Sequence, residues 1–274
     1  IHQTRKQCCM GQRLVRQLVF QPPRPSIDQS LMSACRLLPT KRGHGIPYLH
    51  LRRPGSRFVV VYSHGNASDI SAVHDLCAAL SKDLNVDVVV YDYCGYGVRN
   101  DTVGPTEANV LADAMDVVDY ALSYAAPRGQ LVVAYGRSLG SAPSINVAAE
   151  RPPVGATDGV RGLIVESGFT SCVRTQLDTP FTFWFDVFRN EERLPSCRQS
   201  TMVIHGREDC VVPFSHGQKL QAIGVANGRA WCPSPLSRDG VWFDGAGHND
   251  IDTLYHVELM HHLRHFLSSL LPTY

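Results

Sequence analysis

The apolar run Leu131, Val132, Val133, Ala134 and Tyr135 passes directly into Gly136-Arg137-Ser138-Leu139-Gly140 and then into a stretch of small residues. A continuous apolar run of this length reads as a strand buried on both faces, and a parallel sheet covered by helices on each side provides that environment. The pentapeptide that follows is G-x-S-x-G, a sharp strand-to-helix turn that lifts a serine hydroxyl clear of the sheet. Gly136 and Gly140 lack side chains where strand and helix crowd each other. The same turn leaves the Leu139 N–H at a helix start, where it can face developing negative charge. The pattern alone recurs by chance, so its weight depends on what surrounds it.

The alternation recurs along the chain. Strand-like runs fall at 58–63, 86–92, 131–135, 162–166, 201–205 and 240–244, and helical patterns at 69–84, 106–125, 138–150, 215–223 and 251–271 separate them. Pro105 fits the first turn of the 106–125 helix, with Glu107, Asp113 and Asp116 towards its positive end. The expected fold class is α/β, a mostly parallel doubly wound sheet with right-handed crossovers. Such sheets bind ligands beyond the carboxyl ends of their strands.

At 274 residues and 44% hydrophobic composition the chain can bury one large core, expected at 26–274 behind a distinct segment at 1–25. Its net charge of +1, without a basic tract, excludes a nucleic-acid binder. Nine cysteines without a C-x-x-C pair read as reduced thiols of a cytoplasmic protein, not as a disulfide framework or a zinc site. Neither a metal nor a cofactor is expected. No apolar run approaches the ~18 residues that a membrane-spanning helix needs.

A serine nucleophile needs a base within hydrogen-bond reach and an acid that orients the base. On this fold class the chain order is serine, acid, histidine. Asp209 follows the 201–205 strand in the turn Gly206-Arg207-Glu208-Asp209 and is the expected acid, with Glu208 the alternative. His248 lies in the glycine-rich loop Gly245-Ala246-Gly247-His248-Asn249-Asp250 ahead of the last helix and is the expected base. The oxyanion would be held by the N–H groups of Leu139 and of Asn66, the latter in the turn Ser63-His64-Gly65-Asn66-Ala67, with Ala67 the second choice. His64 reads as a residue that holds this turn.

Two further segments bear on substrate and location. Between the strands at 162–166 and 201–205 lies an aromatic-rich insertion, a short cap at 167–199. Phe169, Phe181, Trp184 and Phe185 are its acyl-groove candidates, against the plainer reading of an apolar helix packed on the core. In the first segment Arg5, Lys6, Arg13 and Arg16 accompany Met10, Leu14, Val15, Leu18 and Val19 at helical spacing, ended by Pro22, Pro23 and Pro25. That is a basic amphipathic helix suited to an anionic membrane surface, and Cys8 and Cys9 beside it are candidates for S-acylation.

These strings together closely resemble the α/β-hydrolase superfamily, and within it the protein depalmitoylases of the α/β-hydrolase domain-containing 17 type. The resemblance covers about residues 15–270. It rests on Phe20-Gln21-Pro22-Pro23, Ser63-His64-Gly65-Asn66-Ala67, Tyr91-Asp92-Tyr93, Gly95-Tyr96-Gly97 and Tyr135-Gly136-Arg137-Ser138-Leu139-Gly140. It continues in His205-Gly206, Glu208-Asp209, Phe214-Ser215-His216-Gly217 and Gly245-Ala246-Gly247-His248-Asn249-Asp250-Ile251. The resemblance implies palmitoyl-thioester hydrolysis on S-palmitoylated, membrane-associated proteins, with Ser138, Asp209 and His248 as triad. It also implies peripheral attachment to the cytoplasmic face of the plasma or endosomal membrane. Two departures stand out: the family's N-terminal cysteine cluster is reduced to Cys8-Cys9, and the stretches 151–159 and 230–239 are longer. The same triad on this fold also serves carboxylesterases, lipases and serine peptidases, and a silent binding module is the reading from another class.

Overall fold

The computed structural model describes residues 19–24, 29–97, 104–155, 158–175, 186–234 and 236–272. Among them eight strands form one sheet: β1 (Arg36–Pro39), β2 (Gly45–Leu51), β3 (Phe58–Ser63), β4 (Asp87–Tyr91), β5 (Leu131–Arg137), β6 (Val160–Glu166), β7 (Ser200–Gly206) and β8 (Val241–Phe243). Their order across the sheet is β1-β2-β4-β3-β5-β6-β7-β8. The strands from β3 to β8 run parallel, and β1 and β2 add an antiparallel edge.

Helices cover both faces of the parallel part, which is why β3 and β4 are buried along their whole length. Val59 and Val61 of β3 pack in one core cluster with residues of α3 (Glu107–Ala125) and α4 (Ser141–Glu150). Val60 and Tyr62 pack in the other with residues of α2 (Ile70–Leu84) and α8 (His256–Ser269). Successive side chains on a strand point to opposite faces, so a strand buried on both has no polar phase to show. The remaining helices are α1 (Gln29–Ala34), α5 (Asn190–Arg193), α6 (Phe214–Ala226) and α7 (Ile251–Leu254). Among the described residues, no helix is long and apolar enough to cross a membrane.

Several expected elements differ in detail. The 69–84 helix starts as read: the Asp69 side chain caps it by accepting from the Ala72 N–H. Pro105 lies just before the 106–125 helix and not in its first turn, because Thr106 is the cap and accepts from the Asn109 N–H. Asp113 is fully buried and paired with Arg42 at 2.7 Å, so packing and charge pairing place it, not the helix dipole alone. The 251–271 helix is two helices, α7 and α8, parted at Tyr255, whose hydroxyl donates to the Asp244 carbonyl. The insertion at 167–199 carries 3₁₀ turns at Val173–Thr175 and Leu194–Ser196 with α5 between them. Phe181, Phe183, Trp184 and Phe185 lie outside the described residues, as do Cys8, Cys9 and the expected basic amphipathic helix before Val19.

Candidate active site

Ser138 sits where β5 ends, at φ +53°, and opens a 3₁₀ turn to Gly140 that leads into α4. A left-handed φ is strained for a serine and persists only where the surroundings fix it. Here they do: a Cβ at Gly136 would overlap the Gly140 carbonyl, and one at Gly140 would overlap the Ser63 carbonyl. The two glycines therefore let the elbow lie flat between β3 and β5.

Ser138, His248 and Asp209 meet at the carboxyl edge of the sheet. His248 Nδ1 lies 2.7 Å from Asp209 Oδ2, and His248 Nε2 lies 3.0 Å from Ser138 Oγ. An ionised carboxylate only accepts, so the Nδ1–H donates to Asp209 and the bare Nε2 accepts from the serine O–H. Asp209 is 6% exposed. Its Oδ1 accepts from the N–H groups of Val211 (2.9 Å) and Val212 (2.8 Å). Burial alone would raise its pKa. Hydrogen bonds from His205, from His248 and from the Val212 N–H outweigh burial and hold the carboxyl well below the usual range. Glu208, the alternative acid, is exposed and stands apart from this chain of bonds.

The residues that support the triad are not announced by any motif in the sequence. His205 Nε2–H is shared between the Val212 carbonyl at 2.9 Å and Asp209 Oδ2 at 3.3 Å, so it fixes the turn that presents the acid. Gly217 makes room for it, because a Cβ there would come 2.7 Å from the His205 ring. Arg137, the variable residue before the nucleophile, donates to the His248 main-chain carbonyl at 3.2 Å. The same guanidinium pairs with buried Glu166 at 3.4 Å and with Asp252 at 3.5 Å, and Tyr135 donates to the other Glu166 oxygen. The positive charge of Arg137 is reinforced against its burial by Glu166, which holds its pKa above the ordinary value.

The turn after β3 passes beside the nucleophile: a Cβ added to Gly65 would lie 3.5 Å from Ser138 Cβ. His64 is fully buried, with Nδ1 2.8 Å from the Gly65 carbonyl and Nε2 3.5 Å from Asp92, as befits a residue that holds the turn. Leu139 is 3% exposed within the 3₁₀ turn. Tyr93 donates to the His64 carbonyl and Tyr96 to Asn66 Oδ1, both at 2.6 Å, so the Tyr91–Gly97 stretch forms a wall against this turn. Phe169 is 4% exposed and packs in the α3/α4 core cluster, the placement of a core side chain.

Among the described residues, one further grouping has metal-ligand chemistry. A ring nitrogen of His44, the Cys94 thiol and an Asp113 oxygen lie within 4.8 Å of one another. The Asp113 carboxylate is already met by Arg42 (2.7 Å), His44 (3.0 Å) and the Cys94 N–H (2.7 Å), which compensates its burial. The described cysteines are all free thiols.

No protein-family model matches the chain. The Caenorhabditis elegans α/β-hydrolase domain-containing protein aho-3 is 29% identical, across 95% of this chain and 80% of that protein. Human α/β-hydrolase domain-containing protein 17B is 31% identical, across 85% of this chain and 75% of that protein. Among solved structures, the Pyrococcus furiosus esterase Pf2001 superposes with a TM-score of 0.69 over 92% of this chain and 99% of its own, at 15% identity. That likeness concerns the fold, which is the α/β-hydrolase fold with a short cap insertion between β6 and β7.

Proposed function

The chain belongs to the α/β-hydrolase domain-containing 17 family, and from that premise we propose that it is an esterase-type serine hydrolase acting through Ser138, His248 and Asp209. The observation that carries this reading is the unbroken hydrogen-bond chain from Asp209 through His248 to Ser138, at 2.7 and 3.0 Å. Ser138 Oγ attacks an acyl carbonyl while His248 Nε2 takes its proton and passes it to the leaving group. Asp209 holds the imidazole in the required tautomer and balances the imidazolium. The N–H groups of Leu139 and Asn66 are the proposed oxyanion donors, worth ~3 kcal/mol each in the transition state. Water then repeats the sequence on the acyl-enzyme.

Within that class the substrate we favour is a long-chain thioester, palmitate on a cysteine of a membrane-associated protein. Its support is family membership together with the sequence strings shared with depalmitoylases. A thiolate also leaves more readily than an alkoxide, because the parent thiol is the stronger acid, with a pKa of ~8.5. Attachment of the segment 1–25 to the cytoplasmic membrane face, through its basic residues and acylated Cys8 and Cys9, belongs to the same proposal. A generic carboxylesterase is the second reading, and the fold shared with an esterase favours it.

A panel of acetyl, octanoyl and palmitoyl groups, each as oxygen ester and thioester, with a peptide amide, tests the proposal. Turnover of esters and thioesters with a rise in kcat/KM towards palmitoyl thioester is expected. Preference for short oxygen esters would leave the generic carboxylesterase, and cleavage of the amide alone would overturn both readings.

A further inference from the structure

His64 and Tyr93 hold the start of the turn proposed to bind the oxyanion, and its later part, at Asn66 and Ala67, takes its support from more distant residues. It contains Ala67 at φ +51°, a left-handed conformation that a non-glycine residue adopts only when held. Asn66, the residue between Gly65 and Ala67, directs its side chain to the N-terminal end of the described chain. Its Oδ1 accepts from the Gln21 N–H at 2.9 Å and from the Tyr96 hydroxyl at 2.6 Å. Its Nδ2 donates to the Val19 carbonyl at 2.7 Å. Both amide atoms thus bind main-chain groups two residues apart, the pattern that aligns an extended strap on a turn. Phe20, between those two groups, is 6% exposed and meets Phe188 of the insertion edge-on, with ring centroids 5.8 Å apart. Pro22 and Pro23 follow and restrict the backbone where it leaves.

We propose that Val19–Gln21 is a positioning strap for the active site, which sets the Asn66 N–H against Ser138 through the Asn66 side chain and is anchored by Phe20 on Phe188. This inference rests on the serine-hydrolase reading. The strap is contributed by residues 45 and 47 positions away from the turn it holds. The turn is thus held between the Tyr96 wall and the strap, and the strap itself meets the insertion through Phe20 and Phe188. A displaced oxyanion donor weakens binding of the transition state more than binding of the substrate, so the signature of the strap is a change in kcat without one in KM.

The test compares the full chain with Asn66→Ala, which keeps the main-chain N–H, and with Phe20→Ala. Ester kcat and KM are measured per fluorophosphonate-titrated serine, alongside inhibition by a trifluoromethyl ketone that forms a tetrahedral oxyanion on the nucleophile. The strap predicts that kcat falls about 10- to 100-fold and inhibitor affinity falls in parallel, while KM stays within about twofold. If Phe20→Ala does not fold, Phe20→Leu takes its place with the same pattern at smaller amplitude. Folded variants with wild-type kcat and inhibitor affinity would overturn the strap and leave the serine-hydrolase reading standing. A wild-type chain that neither turns over esters nor reacts with the fluorophosphonate would overturn the reading itself.

Discussion

The Arg137 guanidinium donates to the His248 main-chain carbonyl at 3.2 Å, so the residue immediately before the nucleophile holds the loop that carries the base. Glu166 and Asp252 fix the other sides of the same guanidinium. A planar fork can serve three partners where a lysine ammonium at the end of a flexible stem cannot. Arg137→Lys should therefore lower kcat about tenfold and Arg137→Met about 100-fold, with KM little changed, because small misplacements of a base are costly. Steady-state kinetics on folded variants check this; unchanged kcat in both would show that the loop is held without Arg137.

Ser138 and His248 act as one unit in the proposed chemistry. Ser138→Ala and His248→Ala should each cost about 10⁴-fold or more in turnover, and the double variant little beyond either. Additive losses in a double-variant cycle would assign one of the two roles to another residue.

Asp209→Asn should preserve the fold and lower kcat by up to about 10⁴-fold, since an amide favours the wrong imidazole tautomer. The Asp209 carboxyl is held well below its ordinary range, so it stays ionised as pH falls through the usual carboxylate region. The acid limb of log kcat/KM against pH should then have a slope of about one, reporting a single proton. A limb of slope two would mean that Asp209 titrates with the base. Damage from Glu208→Gln exceeding that from Asp209→Asn would move the acid to Glu208.

His50 supplies a stability test remote from catalysis. Burial, reinforced by Arg52, lowers its pKa to about 4, while Nδ1 lies 2.9 Å from the Tyr120 hydroxyl. In the unfolded chain the group titrates at ~6.5, so above that pH it is neutral in both states and the native contribution is complete. Between ~6.5 and about 4 the unfolded chain takes up a proton that the folded chain refuses, and stability falls. Urea midpoints measured across that window should drop more steeply for wild type than for His50→Gln. Equal slopes would contradict the shift.

What the sequence discloses and what it withholds divide along physical lines. The elbow after β5 and the loop before α7 were legible because local demands dictate them: glycine where backbones crowd, an apolar run where both faces are buried. The antiparallel edge was not. Arg36, Leu37 and Pro39 of β1 are largely exposed, and β2 contains Pro47, so pairing of β2 with β4 and of β1 with β2, not local pattern, creates these strands. The break at Tyr255 likewise follows from a hydrogen bond to the Asp244 carbonyl, with neither glycine nor proline to announce it. The supporting roles of Arg137, His205 and the Asn66 side chain are not legible in the sequence, because their partners lie elsewhere in the chain or in main-chain atoms. Arg137 reaches a carbonyl 111 residues away. A charged residue inside a motif that requires burial on both sides was the one available hint.

The central claim, a nucleophilic serine at the end of β5, is tested most directly by mapping the residue that a fluorophosphonate modifies in the intact chain. Mass spectrometry of the proteolysed adduct should place the phosphonate on Ser138, with labelling lost in Ser138→Ala and slowed in His248→Ala. Labelling that persists in Ser138→Ala, or that maps to another residue, would contradict the account.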